Sequence, residues 1–250
     1  PVFSIRTEED WGIGDFADIA TLAKWAVRAG MSMIQILPVN DTTVSGTWHD
    51  SYPYNGISTF ALNPMYLRPD AAGTLADAEA MQRYRAEARE LNMAAAVNYE
   101  GVFALKQRYM RQLYAEQGEM TLASADCRRF VADNSHWLIP YAAFCLLRDR
   151  HHTADMAQWG EYALYDADRV RRLVEEECQQ EAGYHIFTQY HLHKQLLAAS
   201  RACHEVGIAI KGDIPIGISR MSVDAWVAPQ LFNLNTSAGA PPDDLSLIHI

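Results

Sequence analysis

Residues Met31 to Val39 (Met-Ser-Met-Ile-Gln-Ile-Leu-Pro-Val) form a nearly continuous apolar run. That is the pattern of a strand buried on both faces of a parallel sheet. The stretch before it has the marks of a helix. Asp15 is placed as an N-cap, Asp18 lies in the first turn where the helix dipole favours a carboxylate, and Phe16, Ile19, Ala23 and Ala26 recur at helical spacing. Gly30 ends it as a C′ residue. Ahead of this helix, Pro1 to Ile5 is short, apolar and β-prone, and Trp11-Gly12-Ile13-Gly14 reads as a loop. Strand, helix, strand is therefore the expected opening, a βαβ unit.

From about Asp77 to Val206 the pattern is helical, with Val102, Leu105, Tyr109 and Leu113 on one stripe and Leu192, Leu196, Ala199 and Cys203 on another. About 130 residues of helix are too many for an ordinary crossover and read as a subdomain. Gly207 closes the last helix. Ile208-Ala209-Ile210-Lys211 then reads as a third parallel strand, ending in Gly212-Asp213-Ile214-Pro215-Ile216. Functional groups in such sheets gather at the carboxyl ends of strands, so the long polar loop 40–63 and Asp213 are expected on one face.

Within that loop, Asp50-Ser51-Tyr52-Pro53-Tyr54-Asn55 sets aromatic faces beside short polar side chains. Sugar rings present C–H faces flanked by hydroxyls, which suits such a platform. The same tyrosines, with Trp48, are equally placed to pack the loop on its domain. Asp213 has three open roles: binding a substrate hydroxyl, taking part in catalysis, or holding neighbouring loops by accepting N–H bonds.

Composition narrows the field. The 250 residues are 49% hydrophobic with a formal charge of −10 and no basic block. This repels phosphate backbones and argues against nucleic acid as a partner. No apolar run approaches a membrane span, and nothing after Pro1 resembles a secretory segment. Cys127, Cys145, Cys178 and Cys203, spaced 18, 33 and 25 apart, make no zinc or redox motif and read as buried thiols of a cytoplasmic protein. His191 and His193 cannot share a helical face, so with His185 they make no metal site. Asp243-Asp244 is a solvated pair on a turn rather than a catalytic dyad. Nucleotide-binding and serine-hydrolase motifs are missing from the sequence.

Several ordered motifs carry a resemblance. They are Pro1-Val2-Phe3-Ser4-Ile5-Arg6, Gly12-Ile13-Gly14-Asp15-Phe16, Gln35-Ile36-Leu37-Pro38-Val39-Asn40-Asp41-Thr42-Thr43, Ser51-Tyr52-Pro53-Tyr54 and Ala61-Leu62-Asn63-Pro64. To these are added Gln189-Tyr190-His191-Leu192-His193-Lys194-Gln195, Lys211-Gly212-Asp213-Ile214-Pro215-Ile216-Gly217-Ile218, Val223-Asp224-Ala225-Trp226 and Gly239-Ala240-Pro241-Pro242-Asp243-Asp244. Together they resemble the amylomaltase or disproportionating-enzyme family of 4-alpha-glucanotransferases, and His49-Asp50-Ser51-Tyr52-Pro53-Tyr54 is similar to the branch with plant cytosolic maltose-using enzymes. Members of that branch often carry starch-binding modules ahead of the catalytic domain, and none is visible here.

The resemblance implies an α/β fold, a partial (β/α)8 TIM barrel holding the first three strands with a large helical insertion subdomain. Residues 1–76 would carry strands one and two and the substrate loop, 77–206 the insertion, and 207–244 strand three and its loop. Residues 245–250 read as a non-native tail. It further implies a maltooligosaccharide or alpha-glucan substrate, no metal and no organic cofactor, and retaining double displacement by an aspartate nucleophile and a glutamate acid/base about 5 to 5.5 Å apart. Ser51, Tyr54, Asp213 and Asp243 fall at substrate-binding positions, Asp243 at the root of a mobile covering loop. The catalytic carboxylates would lie beyond Asp244, so the chain alone is expected to be inactive. The rival expectation is a non-catalytic glucan-binding or scaffold protein.

Overall fold

The computed structural model describes residues 1–215 and 217–236. Helix α1 spans Phe16–Arg28 and begins with a capping box: Asp15 accepts from the backbone of its first turn while Asp18 accepts from Asp15 N–H at 2.9 Å. Strand β1 (Met33–Gln35) follows, then the long loop and the short helix α2 (Pro69–Ala72). A run of longer helices comes next: α3 (Ala78–Met93), α4 (Tyr99–Ala123) and α5 (Ala125–His151). Ser124 alone separates α4 from α5. Its hydroxyl donates to Thr121 O at the end of one helix and accepts from Cys127 N–H at the start of the next. Helix α6 (Ala167–Arg172) passes through a π turn at Leu173–Glu177 toward α7 (Gln179–Glu205). Strand β2 (Ala209–Lys211) and helix α8 (Val223–Val227) complete the described elements.

β1 and β2 pair directly in parallel, Met33 opposite Ala209, Ile34 opposite Ile210 and Gln35 opposite Lys211. Each is entered from a helix that stops at a glycine in left-handed conformation, Gly30 (φ 75°) after α1 and Gly207 (φ 77°) after α7. Ile34 and Ile208 lie in one core with the buried stripes of α1 (Ile19, Ala23, Ala26) and α7 (Leu192, Ala199, Cys203), so both helices cover the same face. A second core gathers the buried length of α5, Leu138 to Leu147, with Trp159, Trp226 and the other flank of α7. α7 is thus the spine between two cores.

The structure corrects three expectations. Pro1–Ile5 is no strand; Val2–Ser4 is a 3-10 turn in which Ser4 and Ile5 donate back to Pro1 O and Val2 O, while Gly14 N–H donates to Phe3 O. Gly14 lies so close that a β-carbon there would stand 2.2 Å from Ile5 O, so the segment folds against the loop 12–14 instead of extending as a strand. Second, the sheet among the described residues has two strands, and Ile208–Lys211 forms the second rather than a third. Third, β1 is not buried on both faces: Ile34 is covered, but Met33 is 53% exposed, because both flanking helices pack on one side.

All four cysteines are free and buried. Among the described residues no helix is long and apolar enough to cross a membrane. Asp243, with residues 245–250, lies outside the described residues.

Candidate functional site

The loop leaving β1 is held as tightly as a strand. Ile36 N–H donates to Lys211 O, prolonging the pairing with β2, and Asn40 then bridges Leu62 in antiparallel fashion. Asp41 N–H donates to Ala61 O and Ile57 N–H to Asp41 O, which folds the loop back on itself. A buried polar network fixes this base to the helices. Gln189 of α7 donates to Leu62 O at 2.8 Å and accepts from Leu62 N–H at 2.9 Å, acting as a strand neighbour would. The same amide donates to the Tyr141 hydroxyl at 3.2 Å, and Tyr141 donates to Asp41 at 2.7 Å.

Asp41 is fully buried, and desolvation raises its pKa against the opposing pull of the Arg148 charge and of Thr43 and Tyr141. Arg148, on α5, reaches the loop by donating to Thr43 O at 2.7 Å and binds Asp149 beside it. Asp50, also buried, accepts from Ser45 and Gly46 N–H and shapes the turn that carries Trp48–Ser51. These groups set the loop's position. Asp41, Thr43, Tyr141 and Arg148 also line a small cavity of about 30 Å3, room for water rather than for a sugar.

The tip of the loop meets the segment after β2. Tyr54 donates to Asp213 Oδ2 at 2.7 Å, a contact across 159 residues of sequence. Asp213 also accepts from Ile214 N–H at 2.9 Å through its other oxygen. The hydrogen bond to this carboxylate holds the phenol proton and raises the Tyr54 pKa above its ordinary value. Both side chains are half-buried at the rim. Further along, Ser219 N–H donates to Gly56 O, Val223 N–H to Ile57 O, and Asp224 accepts from both Thr59 N–H and Thr59 Oγ1 at 2.9 and 2.8 Å. The two strand-end segments therefore close along a seam, with Tyr54 and Asp213 at one end and Thr59 and Asp224 at the other.

Of the residues named from sequence, the structure joins Tyr54 to Asp213. Ser51 ends the 3-10 turn Trp48–Ser51, half-buried and three residues before Tyr54. Asp243 is outside the described residues. The histidines are separate packing elements. His185 lies 3.6 Å from Asp149, His191 stacks edge-on to Phe187, and His193 sits against Phe130. Sequence reasoning assigned no role to Asp224, Gln189, Tyr141 or Arg148. A signal for the last two was available, since each is a polar group inside the apolar length of α5.

A parallel α/β frame with a hydroxyl–carboxylate pair gathered past two adjacent strand ends defines the broad class: an α/β protein whose polar rim lies at the carboxyl side of its sheet. The family profile of 4-alpha-glucanotransferases matches residues 1–247, and the chain belongs to that family. It is 40% identical over 245 residues to the 4-alpha-glucanotransferase DPE2 of Oryza sativa subsp. japonica, covering 97% of this chain and 26% of the rice protein. It is 30% identical over 244 residues to the 4-alpha-glucanotransferase of Chlamydia muridarum, covering 97% of this chain and 45% of that one. The chain thus spans less than half the length of these curated relatives. Among solved structures, the amylomaltase of Streptococcus agalactiae in complex with acarbose superposes with a TM-score of 0.73 at 22% identity, over 98% of this chain and 49% of that one. The amylomaltase of Corynebacterium glutamicum gives 0.73 at 21%, over 97% and 33%. At these identities the structural likeness is one of fold.

Proposed function

We propose that this chain forms half of the glucan-gripping rim of a 4-alpha-glucanotransferase. In this reading the whole protein moves alpha-1,4-glucan segments between maltooligosaccharides by retaining double displacement, and β1 and β2 are adjacent strands of its (β/α)8 barrel. The parallel pairing with helices on one face only supports that frame, since the other face is the one a barrel turns inward. The observation that carries the reading is the Tyr54–Asp213 hydrogen bond at 2.7 Å. It presents a phenol face and a carboxylate with free acceptor positions, a pairing suited to one sugar ring and its hydroxyls. Ser51, which ends the 3-10 turn three residues before Tyr54, is proposed to add a hydroxyl to the grip, and Asp243 is proposed to cover it. Family membership favours this reading over a non-catalytic scaffold.

The chain carries no assigned nucleophile or acid/base, so we expect it to release neither glucose nor longer maltodextrins from maltotriose while still binding maltoheptaose. Asp213→Ala is expected to weaken that binding about tenfold, the loss of one charge-assisted hydrogen bond. Calorimetric titration checks it. Turnover of maltotriose by the chain, or unchanged affinity in Asp213→Ala, would remove the basis of the proposal.

A further inference from the structure

The dipeptide Asn55-Gly56 occurs once in the sequence, at the tip of the loop and directly after Tyr54. Its usual structural reason is a two-residue turn in which both positions take the left-handed conformation. That reason is missing here, because the left-handed residues among those described include neither Asn55 nor Gly56. Crowding does not require a glycine at 56 either. A β-carbon there would stand 3.7 Å from Pro215 Cγ and from Ser58 O and 3.9 Å from Asp41 O, which is ordinary contact.

What the pair does have is chemical freedom. Asn55 is exposed, and its side-chain amide has no hydrogen-bond partner among the described residues. By contrast Asn40 donates to Thr59 O, Asn63 to Thr42, Asn92 to Thr7 O and Asn134 to Phe130 O. The main chain repeats the contrast. Asn55 N–H donates to Tyr52 O and Ile57 N–H to Asp41 O, while the Gly56 N–H between them has no acceptor among the described residues. An amide nitrogen with no β-carbon beside it and no carbonyl on its proton is the least hindered nucleophile a main chain offers.

We propose that Asn55-Gly56 is a self-modification site, at which the chain deamidates with water as co-reactant and thereby loosens its own rim. The Gly56 nitrogen attacks Asn55 Cγ. A bond forms between these two atoms, the Cγ–Nδ2 bond breaks, and Nδ2 leaves as ammonia with the proton from Gly56. Water then opens the cyclic imide. Breaking the new N–Cγ bond gives aspartate. Breaking the main-chain bond between Asn55 C and Gly56 N gives an isoaspartyl link, in which the chain runs through Cγ and is longer by one carbon. Nothing is oxidised or reduced, and no glucan is needed. Both products place a carboxylate one residue from Tyr54, on the rim that already carries Asp213, and like charges repel. The isoaspartyl link also displaces Gly56, whose carbonyl accepts from Ser219 N–H beside the Ile57 carbonyl that takes Val223 N–H. These are the bonds that close the seam.

The test is to age the full chain in mildly alkaline buffer and to read each asparagine by peptide fragmentation that separates residue 55 from Asn40 and Asn63. Labelling by an isoaspartyl methyltransferase detects the rearranged link, and amide hydrogen exchange follows Ser219. We expect Asn55 to lose its amide first among the eight asparagines, the label to appear at residue 55, and Ser219 to exchange faster in the aged chain. Gly56→Ala, for which the structure has room, should deamidate about tenfold more slowly and keep Ser219 protected through the same ageing. Asn55→Gln, whose longer side chain cyclises poorly, is the second non-ageing variant, and circular dichroism verifies that both fold. Retention of the Asn55 amide in the folded chain, while the urea-unfolded chain loses it, overturns the proposal, because the fold then shelters the pair. Equal rates in the parent and Gly56→Ala overturn it as well. Deamidation at residue 55 with unchanged exchange at Ser219 overturns the loosening of the rim.

Discussion

Arg68→Met is expected to destabilise the fold by about 3 to 5 kcal/mol, the cost of leaving buried carboxylates without their counter-charge. Arg68 Nε lies 2.7 Å from Asp15 and its terminal nitrogen 2.7 Å from Asp18, with side-chain exposures of 13%, 0% and 2%. Neither acid can turn to water, because each is already committed. Asp15 caps Ala17 N–H, while Asp18 takes Asp15 N–H and the Thr7 hydroxyl. Burial raises the Asp15 pKa even with the guanidinium present. Without it the Lys106 charge still faces Asp15, but the guanidinium's hydrogen bonds to Asp15 and Asp18 are lost, and the carboxyls must take up a proton or the helix start must open. A total stability of about 5 to 15 kcal/mol is usual for a domain, so the loss is a large part of the whole.

Urea denaturation measures it, and two further variants separate charge from packing. Arg68→Lys keeps the charge but not the fork and should fall between the two. Asp18→Asn in the Arg68→Met background should recover part of the loss. A deficit below about 1 kcal/mol would mean that the pair behaves as a surface ion pair. The main chain of Arg68 is also tied to Gln195 of α7 in both directions, at 2.8 and 2.9 Å. These main-chain bonds survive Arg68→Met, so the variant tests the guanidinium contacts alone.

Some of this was legible in the letters. The Asp15–Asp18 cap and the glycine stops at 30 and 207 are local devices, and each requires one residue type at one position. The meeting of Tyr54 and Asp213 was readable for a different reason. Both follow apolar runs that read as parallel strands, and parallel neighbours deliver their carboxyl ends to the same side. Pro1–Ile5 was misread because five apolar residues do not distinguish a turn from a strand; what decides is that Gly14 occupies their hydrogen-bonding space. The burial of β1 was overestimated because an apolar run reports what a strand tolerates, whereas burial depends on what packs against it. The network of Asp41, Tyr141 and Gln189 was invisible on other grounds. Helical periodicity shows which face is buried, but not which polar group on it meets a carboxylate 100 residues away.

Acid should unfold the chain early, with stability falling from about pH 6.5 downward. Burial pushes the His185 pKa down to about 3, the Arg148 and Arg111 charges adding to the effect and Asp149 at 3.6 Å opposing it. Burial, with a smaller push from Lys194, takes His191 down to about 4. In both cases the folded value lies below the unfolded one, so the unfolded chain takes up these protons first. The stabilisation from keeping both rings neutral is full above about pH 6.5 and is lost as pH falls toward the folded values. Each ring contributes a slope of about 1.4 kcal/mol per pH unit at most. Asp149, whose pKa is lowered, adds to the loss at the acid end. Asp15 and Asp41, whose pKa values are raised, oppose it there.

His191→Phe isolates one ring. Its Nε2 is buried without a hydrogen-bond partner, and the ring packs against Phe187 and Tyr190. An apolar ring should therefore cost little at pH 7 and flatten the slope between pH 6.5 and 4. Unfolding free energies of parent and variant measured across that window decide the matter. A parent whose stability stays level from pH 7 to 5 would show that both imidazoles accept protons inside the fold, and that α7 is solvated where its packing says it is dry.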